Sequence, residues 1–225
     1  MKQVNSEAEM QVYINLAKTA AKTLRTAQKL QKTANSRVKQ LQMARGKYQL
    51  HRKLWKQAGE AVFVAVDIEC FELDHNCTTE VGVAILSIPG NTIETRHFLV
   101  KEYAHLRNGR FVPEMSGNFD FGTSEWVSLK ECGHILYDIL HPSDGVQMYF
   151  IGHDPMADMR YLEKNLRCPM PKDVCVFDTR LMFSAFSGDS VLRKLAVCLD
   201  DLGIEYWNLH NAGMSPSRFI SLLFP

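Results

Sequence analysis

The feature of this 225-residue chain that most restricts its fold is the run Ala61-Val62-Phe63-Val64-Ala65-Val66, which gives way at once to Asp67-Ile68-Glu69. Six apolar residues rich in β-branched side chains are too few for a typical helix, and a strand without polar alternation has to be covered on both faces. The run therefore predicts a central, doubly buried strand. Period-two geometry places the carboxylates of Asp67 and Glu69 on one face of it. Two convergent anions are costly unless a cation lies between them, and oxygen ligands at this spacing suit Mg²⁺ or Mn²⁺. A lone Asp-x-Glu is also how an ordinary strand end reaches solvent, so its meaning depends on the rest of the chain.

Two further strands are expected at Cys77 to Ile88 and Thr92 to Lys101, joined as a hairpin through Pro89-Gly90-Asn91. Residues 107–122 carry Asn-Gly, Pro and Ser-Gly punctuation and read as a loop, after which Ser124 opens a helical stretch to about Leu140. Val146 to Ile151 is a fourth strand. Gly152-His153-Asp154-Pro155 turns out of it into a helix through about Leu166, with Asp154 as N-cap and Pro155 at the first position. Asp158, one turn below that cap, faces the carboxyl end of the strands, where open sheets hold their ligands. His153 and Asp154 read as turn and capping residues rather than ligands. Val174 to Phe177 is a fifth strand, and Ser190 to Leu202 a helix stopped by Gly203. A three-strand meander followed by alternating helices and strands predicts an α/β body: a mixed sheet covered by helices.

The formal net charge of +1 hides a division. Residues 1–59 carry 13 Lys+Arg against only Glu7 and Glu9, a net of +11, whereas residues 60–225 carry 13 against 23 Asp+Glu, a net of −10. The first part reads as a basic helical arm and the second as the folded domain. From Glu7 to Lys56 there is no proline and one glycine, Gly46, a point at which the helix could break. A narrow seam at Tyr13, Leu16, Ala20, Leu24, Ala27, Leu30, Ala34, Val38 and Leu41 suits a helix partner or the body, and the charge over residues 7–56 suits phosphate. A solvated basic helix with no partner has the same composition. Six scattered cysteines, with no CxxC pair, suit a reducing compartment without disulfides or structural zinc. No run is long and apolar enough for a membrane span, so no membrane partner is expected. The chain reads as intracellular, nuclear or cytoplasmic; Glu7, Glu9 and the length of the arm argue against a mitochondrial presequence.

Five segments together resemble a known family. They are Val64-Ala65-Val66-Asp67-Ile68-Glu69, Thr78-Thr79-Glu80-Val81-Gly82-Val83-Ala84, Ile151-Gly152-His153-Asp154 leading to Asp158, Phe177-Asp178-Thr179-Arg180-Leu181, and Leu209-His210-Asn211-Ala212-Gly213. In that order they resemble the motifs of the DEDDh 3′-to-5′ exonucleases of the ribonuclease-H-like fold. With Phe121-Gly122-Thr123-Ser124-Glu125 they are similar to a fungal group of such proteins linked to mRNA export. The resemblance implies a five-stranded sheet of order 3-2-1-4-5 with the second strand antiparallel. It also implies a two-metal site for Mg²⁺ or Mn²⁺ acting on RNA or DNA 3′ ends. Asp67, Glu69 and Asp158 match its metal ligands, His210 its general base, and Phe71 a place where a terminal base could stack, although a core phenylalanine would look the same. Asp178 reads as scaffold.

The chain departs from this family five positions after the histidine, where the last acidic ligand should stand and Ser215 does. A hydroxyl is a poorer ligand for a hard divalent ion and brings no charge. Three explanations follow: an inactive descendant that still binds nucleic acid or a protein partner; substitution by another carboxylate such as Glu205 or Asp201; or a segment after Gly213 altered by truncation, splicing or a reading-frame error. Met214-Ser215-Pro216 still suits the start of a short terminal helix with Phe219, Ile220, Leu222, Leu223 and Phe224 as its apolar side. The chain is thus expected to be either an exonuclease or a catalytically inactive nuclease-fold binding module.

Overall fold

The computed structural model describes residues 7–57, 61–88, 90–143, 145–188 and 191–223, and divides into two units after Met43. The described residues of the first unit lie within helix α1 (Glu7–Gln57), where residues 7–40 are all exposed. Gly46 does not interrupt α1, because the strong helix formers on both sides outweigh its cost of about 1 kcal/mol. The last turns of α1 belong to the second unit. There Ala44 is buried, Tyr48 packs against the core, and the Lys47 ammonium donates to the Val176 carbonyl.

The second unit holds β1 (Ala61–Phe71), β2 (Asp74–Ile88), β3 (Thr92–Val100), β4 (Glu125–Val127), α2 (Leu129–Leu140), β5 (Gln147–Gly152), α3 (Met156–Lys164), β6 (Cys175–Asp178), α4 (Thr179–Ser187), α5 (Leu195–Leu202) and α6 (Ser215–Leu223). Six strands form one sheet in the order β4-β3-β2-β1-β5-β6; β2 runs antiparallel to β1 and β3, and the other pairs are parallel. The expected five-strand order is present as β3-β2-β1-β5-β6. What sequence reasoning missed is the edge strand β4, whose three residues lie inside the stretch read as helix from Ser124. The helix begins one residue after β4 because Ser128 and Glu131 form a reciprocal capping box. Ser124 instead meets His97.

Other boundaries also move. Helix α4, capped by Asp178, was not anticipated. Helix α5 starts at Leu195, and Ser190, its expected cap, lies outside the described residues, as does Pro89 of the expected hairpin turn. Gly203 ends α5 at φ 66°, as its lack of a Cβ allows. Asp154 is not the N-cap of α3: Pro155 takes that place without a side-chain bond. Asp154, at φ 69°, pairs with Arg180 at 2.8 Å instead.

Each face of β1 has its own cover. Val64, Val66 and Ile68 join Val81, Val83 and Phe98 under α2 and α3, through Leu136, Leu140 and Leu162. Ala61, Phe63 and Ala65 join Ala84, Leu86 and Phe177 under α6, through Phe219 and Ile220. This double cover explains why β1 shows no polar alternation. Truncating Phe63, which stacks on Tyr149 at 4.8 Å, would cost about 3–5 kcal/mol.

Candidate active site

The face of β1 that carries Phe63 and Ala65 continues, by the same two-residue step, into Asp67 and Glu69. The apolar layer beneath α6 therefore ends in two carboxylates. Strand pairing sets their neighbours: Asp67 faces Gly82, which faces His97, and Glu69 faces Glu80. Pairing of β1 with β5 stops at Ala65, leaving the next backbone groups on that side without a strand partner. Asp158, on the first turn of α3, fills the gap by accepting the Ile68 N–H at 3.3 Å. Asp67, Glu69 and Asp158, picked out in sequence on separate elements, are thus brought into one electrostatic cluster.

The turn before α6 lies over the Asp67–Gly82–His97 row. A Cβ on Gly82 would sit 1.8 Å from the Ala212 carbonyl oxygen, and one on Gly213 would meet the Phe119 ring at 2.5 Å and His97 at 3.0 Å. Only glycine lets the turn come this close to the sheet. Asn211 pins the turn by donating to the Met115 carbonyl at 2.8 Å and accepting from the Gly213 N–H at 3.0 Å. Ser215, 3% exposed, donates its hydroxyl proton to the Leu209 carbonyl at 2.8 Å and lies close enough to Asp67 to act on that carboxylate.

Burial, with repulsion from Asp158, Glu69 and Glu80, holds Asp67 well above the usual carboxylate range, against the opposing Ser215 hydroxyl. Glu69 is pushed up to about 8 by burial, then by Glu80 and Asp158. Asp158 rises to about 7, chiefly through burial, against the opposing Ile68 hydrogen bond. Such groups retain protons near neutrality unless a cation replaces them. Carboxylates are the donor type that a hard divalent ion takes. The fourth position offers a neutral hydroxyl instead. Among the described residues, no group of three His, Cys, Asp or Glu side chains is arranged ready to hold a metal.

His210 is exposed on the turn before α6 and takes no part in the interactions that shift the three carboxylates. Phe71 is partly buried at the far end of β1. Neither Glu205 nor Asp201 is among the charges acting on Asp67; the additional carboxylates that act on the cluster are Asp154, through Asp158, and Glu80, which sequence reasoning passed over. Glu80 is 3% exposed and accepts a hydrogen bond from His97 Nε2 at 3.1 Å, while His97 Nδ1 lies 2.8 Å from the Ser124 hydroxyl. The clue was present in Thr-Thr-Glu-Val-Gly, a charged residue two before a glycine in an apolar strand. His153 bridges Thr179 and the Arg193 carbonyl, and Asp178 caps α4, so both serve the scaffold.

A mixed sheet with an antiparallel second strand, helices on both faces and acidic residues at the end of the central strand defines the ribonuclease-H-like class. Comparison with known proteins narrows it: residues 62–214 match the DEDDh family described as the DNA polymerase III subunit epsilon-like C-terminal domain. The chain belongs to this DEDDh family. It is 33% identical over 189 residues to an uncharacterised nucleolar protein of Schizosaccharomyces pombe, covering 76% of this chain and 75% of that protein. It is also 27% identical to the Good for full DBP5 activity protein 2 of Saccharomyces cerevisiae, across 68% of this chain and 33% of that protein. An uncharacterised protein of the same yeast is 26% identical over 121 residues, 48% of this chain and 25% of its own length.

Proposed function

We propose that this protein binds the 3′ ends of RNA or DNA over Asp67, Glu69 and Asp158, and that its hydrolytic capacity is limited by Ser215. The seating of Ser215 on Asp67, in place of a fourth carboxylate, carries this reading. Asp67, Glu69 and Asp158 would hold Mg²⁺ or Mn²⁺, which when bound makes water more acidic and offsets charge on the leaving 3′-oxygen. His210, free of the buried cluster, would accept the proton of the attacking water. The Glu80–His97–Ser124 chain and the two glycines would hold the turn bearing His210 and Ser215 in register with Asp67.

The arm supports a nucleic-acid ligand. On α1, Lys18, Lys22, Arg25, Lys29, Lys32 and Lys39 recur at steps of four, three and seven, which aligns them as one exposed stripe opposite the Ala/Leu seam. Such a stripe suits phosphates. A nuclear setting is supported by the word "nucleolar" in the name of the S. pombe relative.

The second reading, a catalytically inactive module, is favoured by the same serine. Incubating the chain with 5′-labelled single-stranded RNA and DNA in Mg²⁺ or Mn²⁺, beside Asp67→Ala, separates the two. Slow stepwise shortening that disappears in Asp67→Ala is the expected result. Binding without shortening establishes the inactive module, and absence of binding under low salt rejects both.

A further inference from the structure

One surface cluster beside this site has no part in the reading above. Arg218 lies one turn into α6 from Ser215, about 4.5 Å further along the helix axis. Its guanidinium carbon sits 5.0 Å from the centre of the Trp207 ring and 5.5 Å from that of Phe121, a cation held between two aromatic planes. Trp207 is fixed in orientation, since its indole N–H donates to Asp120. Phe121 stands edge-on to Phe119 at 6.3 Å, and Phe119 packs on His97 at 5.1 Å. A chain of rings therefore runs from the buried His97, beside the carboxylates, out to the surface.

Two properties set this cluster apart from ordinary packing. Phe121 remains 39% exposed and Trp207 44% exposed, although both rings are held by their neighbours. The Arg218 Nε is buried without a hydrogen-bond partner, and among the described residues no carboxylate lies within ion-pair distance of the guanidinium, although the charge of Glu205 acts on it from further away. Rigid, half-open aromatic faces with a cation outside any close ion pair match an unpaired nucleobase and its phosphate in both shape and charge.

We infer that Phe121, Arg218 and Trp207 form a stacking platform for an unpaired base of single-stranded nucleic acid whose 3′ end lies over the Asp67 cluster. This rests on the nucleic-acid reading given above and extends it with a named base site. Stacking uses the π-face that every base has, so the platform is tolerant of sequence and does not distinguish ribose from deoxyribose. It also moves base stacking away from Phe71.

The test uses the full-length chain with Trp55→Phe and Trp126→Phe, leaving Trp207 as the sole tryptophan. A 5′-labelled single-stranded RNA of about ten nucleotides is titrated in EDTA, and Trp207 fluorescence is read beside polarisation of the label. The same titration is repeated with the DNA counterpart and with a strand whose 3′ nucleotides are abasic. Expected are saturable quenching of Trp207 by the intact RNA and DNA, no quenching by the abasic strand, and abasic binding weaker by about tenfold. In the otherwise natural chain, Trp207→Ala, Phe121→Ala and Arg218→Lys should each weaken the intact strand about tenfold while leaving abasic affinity unchanged. Trp207→Phe, which keeps a ring, should retain most of the binding. Circular dichroism confirms that each variant is folded. Binding of the intact strand with no quenching and no loss in the variants overturns the platform but leaves the end-binding reading standing. Failure of every strand to bind removes both.

Discussion

Replacing Glu69 with Gln should make the metal-free protein more stable at pH 8, although it removes a carboxylate from the centre of the site. Glu69 is held at about 8 against an ordinary 4.5 by burial and by Glu80 and Asp158. At ~1.4 kcal/mol per tenfold change in proton affinity, that displacement sets an upper limit of about 5 kcal/mol. Asp67 and Asp158 share the same repulsion, so about 2–3 kcal/mol is the expected contribution of Glu69 alone. A carboxyl raised on folding binds more protons in the native state than in the unfolded one. Its contribution is complete below about pH 4.5 and is lost as pH rises towards 8. Urea unfolding in EDTA should therefore show the natural protein less stable at pH 8 than at pH 5, and the slope should flatten in Glu69→Gln. Mn²⁺ should restore stability at pH 8 in the natural protein but not in the variant, since the ion takes the place of the protons. A difference between the two proteins that does not change from pH 5 to pH 8, or a loss of stability in Glu69→Gln at pH 8, would refute the buried-cluster reasoning.

Ser215→Asp should raise Mn²⁺ affinity at least about tenfold by calorimetry and increase 3′-end shortening; unchanged affinity would show that the residue seated on Asp67 does not face the ion. Gly82→Ala should cost about 3 kcal/mol, because the new Cβ meets a backbone carbonyl that cannot yield; a urea midpoint shift equivalent to less than about 0.5 kcal/mol would contradict the close approach. Changing Lys18, Lys22, Arg25, Lys29, Lys32 and Lys39 to Gln keeps helix propensity while removing the basic stripe. The slope of log affinity for single-stranded RNA against log salt should become shallower by up to about 4, and an unchanged slope would leave α1 a solvated helix.

Local order was legible because it has a short period. The run from Ala61 to Val66 specified a doubly covered strand, and the two-residue step put Asp67 and Glu69 on one side of it. Gly203 marked a helix stop, and a chain free of proline from Glu7 to Lys56 specified a helix that even Gly46 does not break. The spacing of five motifs was enough for the family. Local reading failed where two signals overlapped: β4 is three residues long and lies against a strong cap, so its extended character was absorbed into the helix that follows.

Relationships across the sheet were settled by tertiary structure alone. Nothing near Glu80 in sequence says that it faces Glu69, or that His97 holds it from the next strand; both follow from pairing registers seventeen or fewer residues apart along the chain but adjacent in space. The same holds for Asp154, whose sequence signals a cap but whose carboxylate goes to Arg180, 26 positions later. It holds most of all for Ser215: its identity was plain from the sequence, yet its contact with Asp67 depends on a turn that only Gly82 and Gly213 allow to reach the strand. Periodicity fixes which way a side chain points, whereas the partner it meets is decided by packing between distant segments, and the chemistry of this site is made of such meetings.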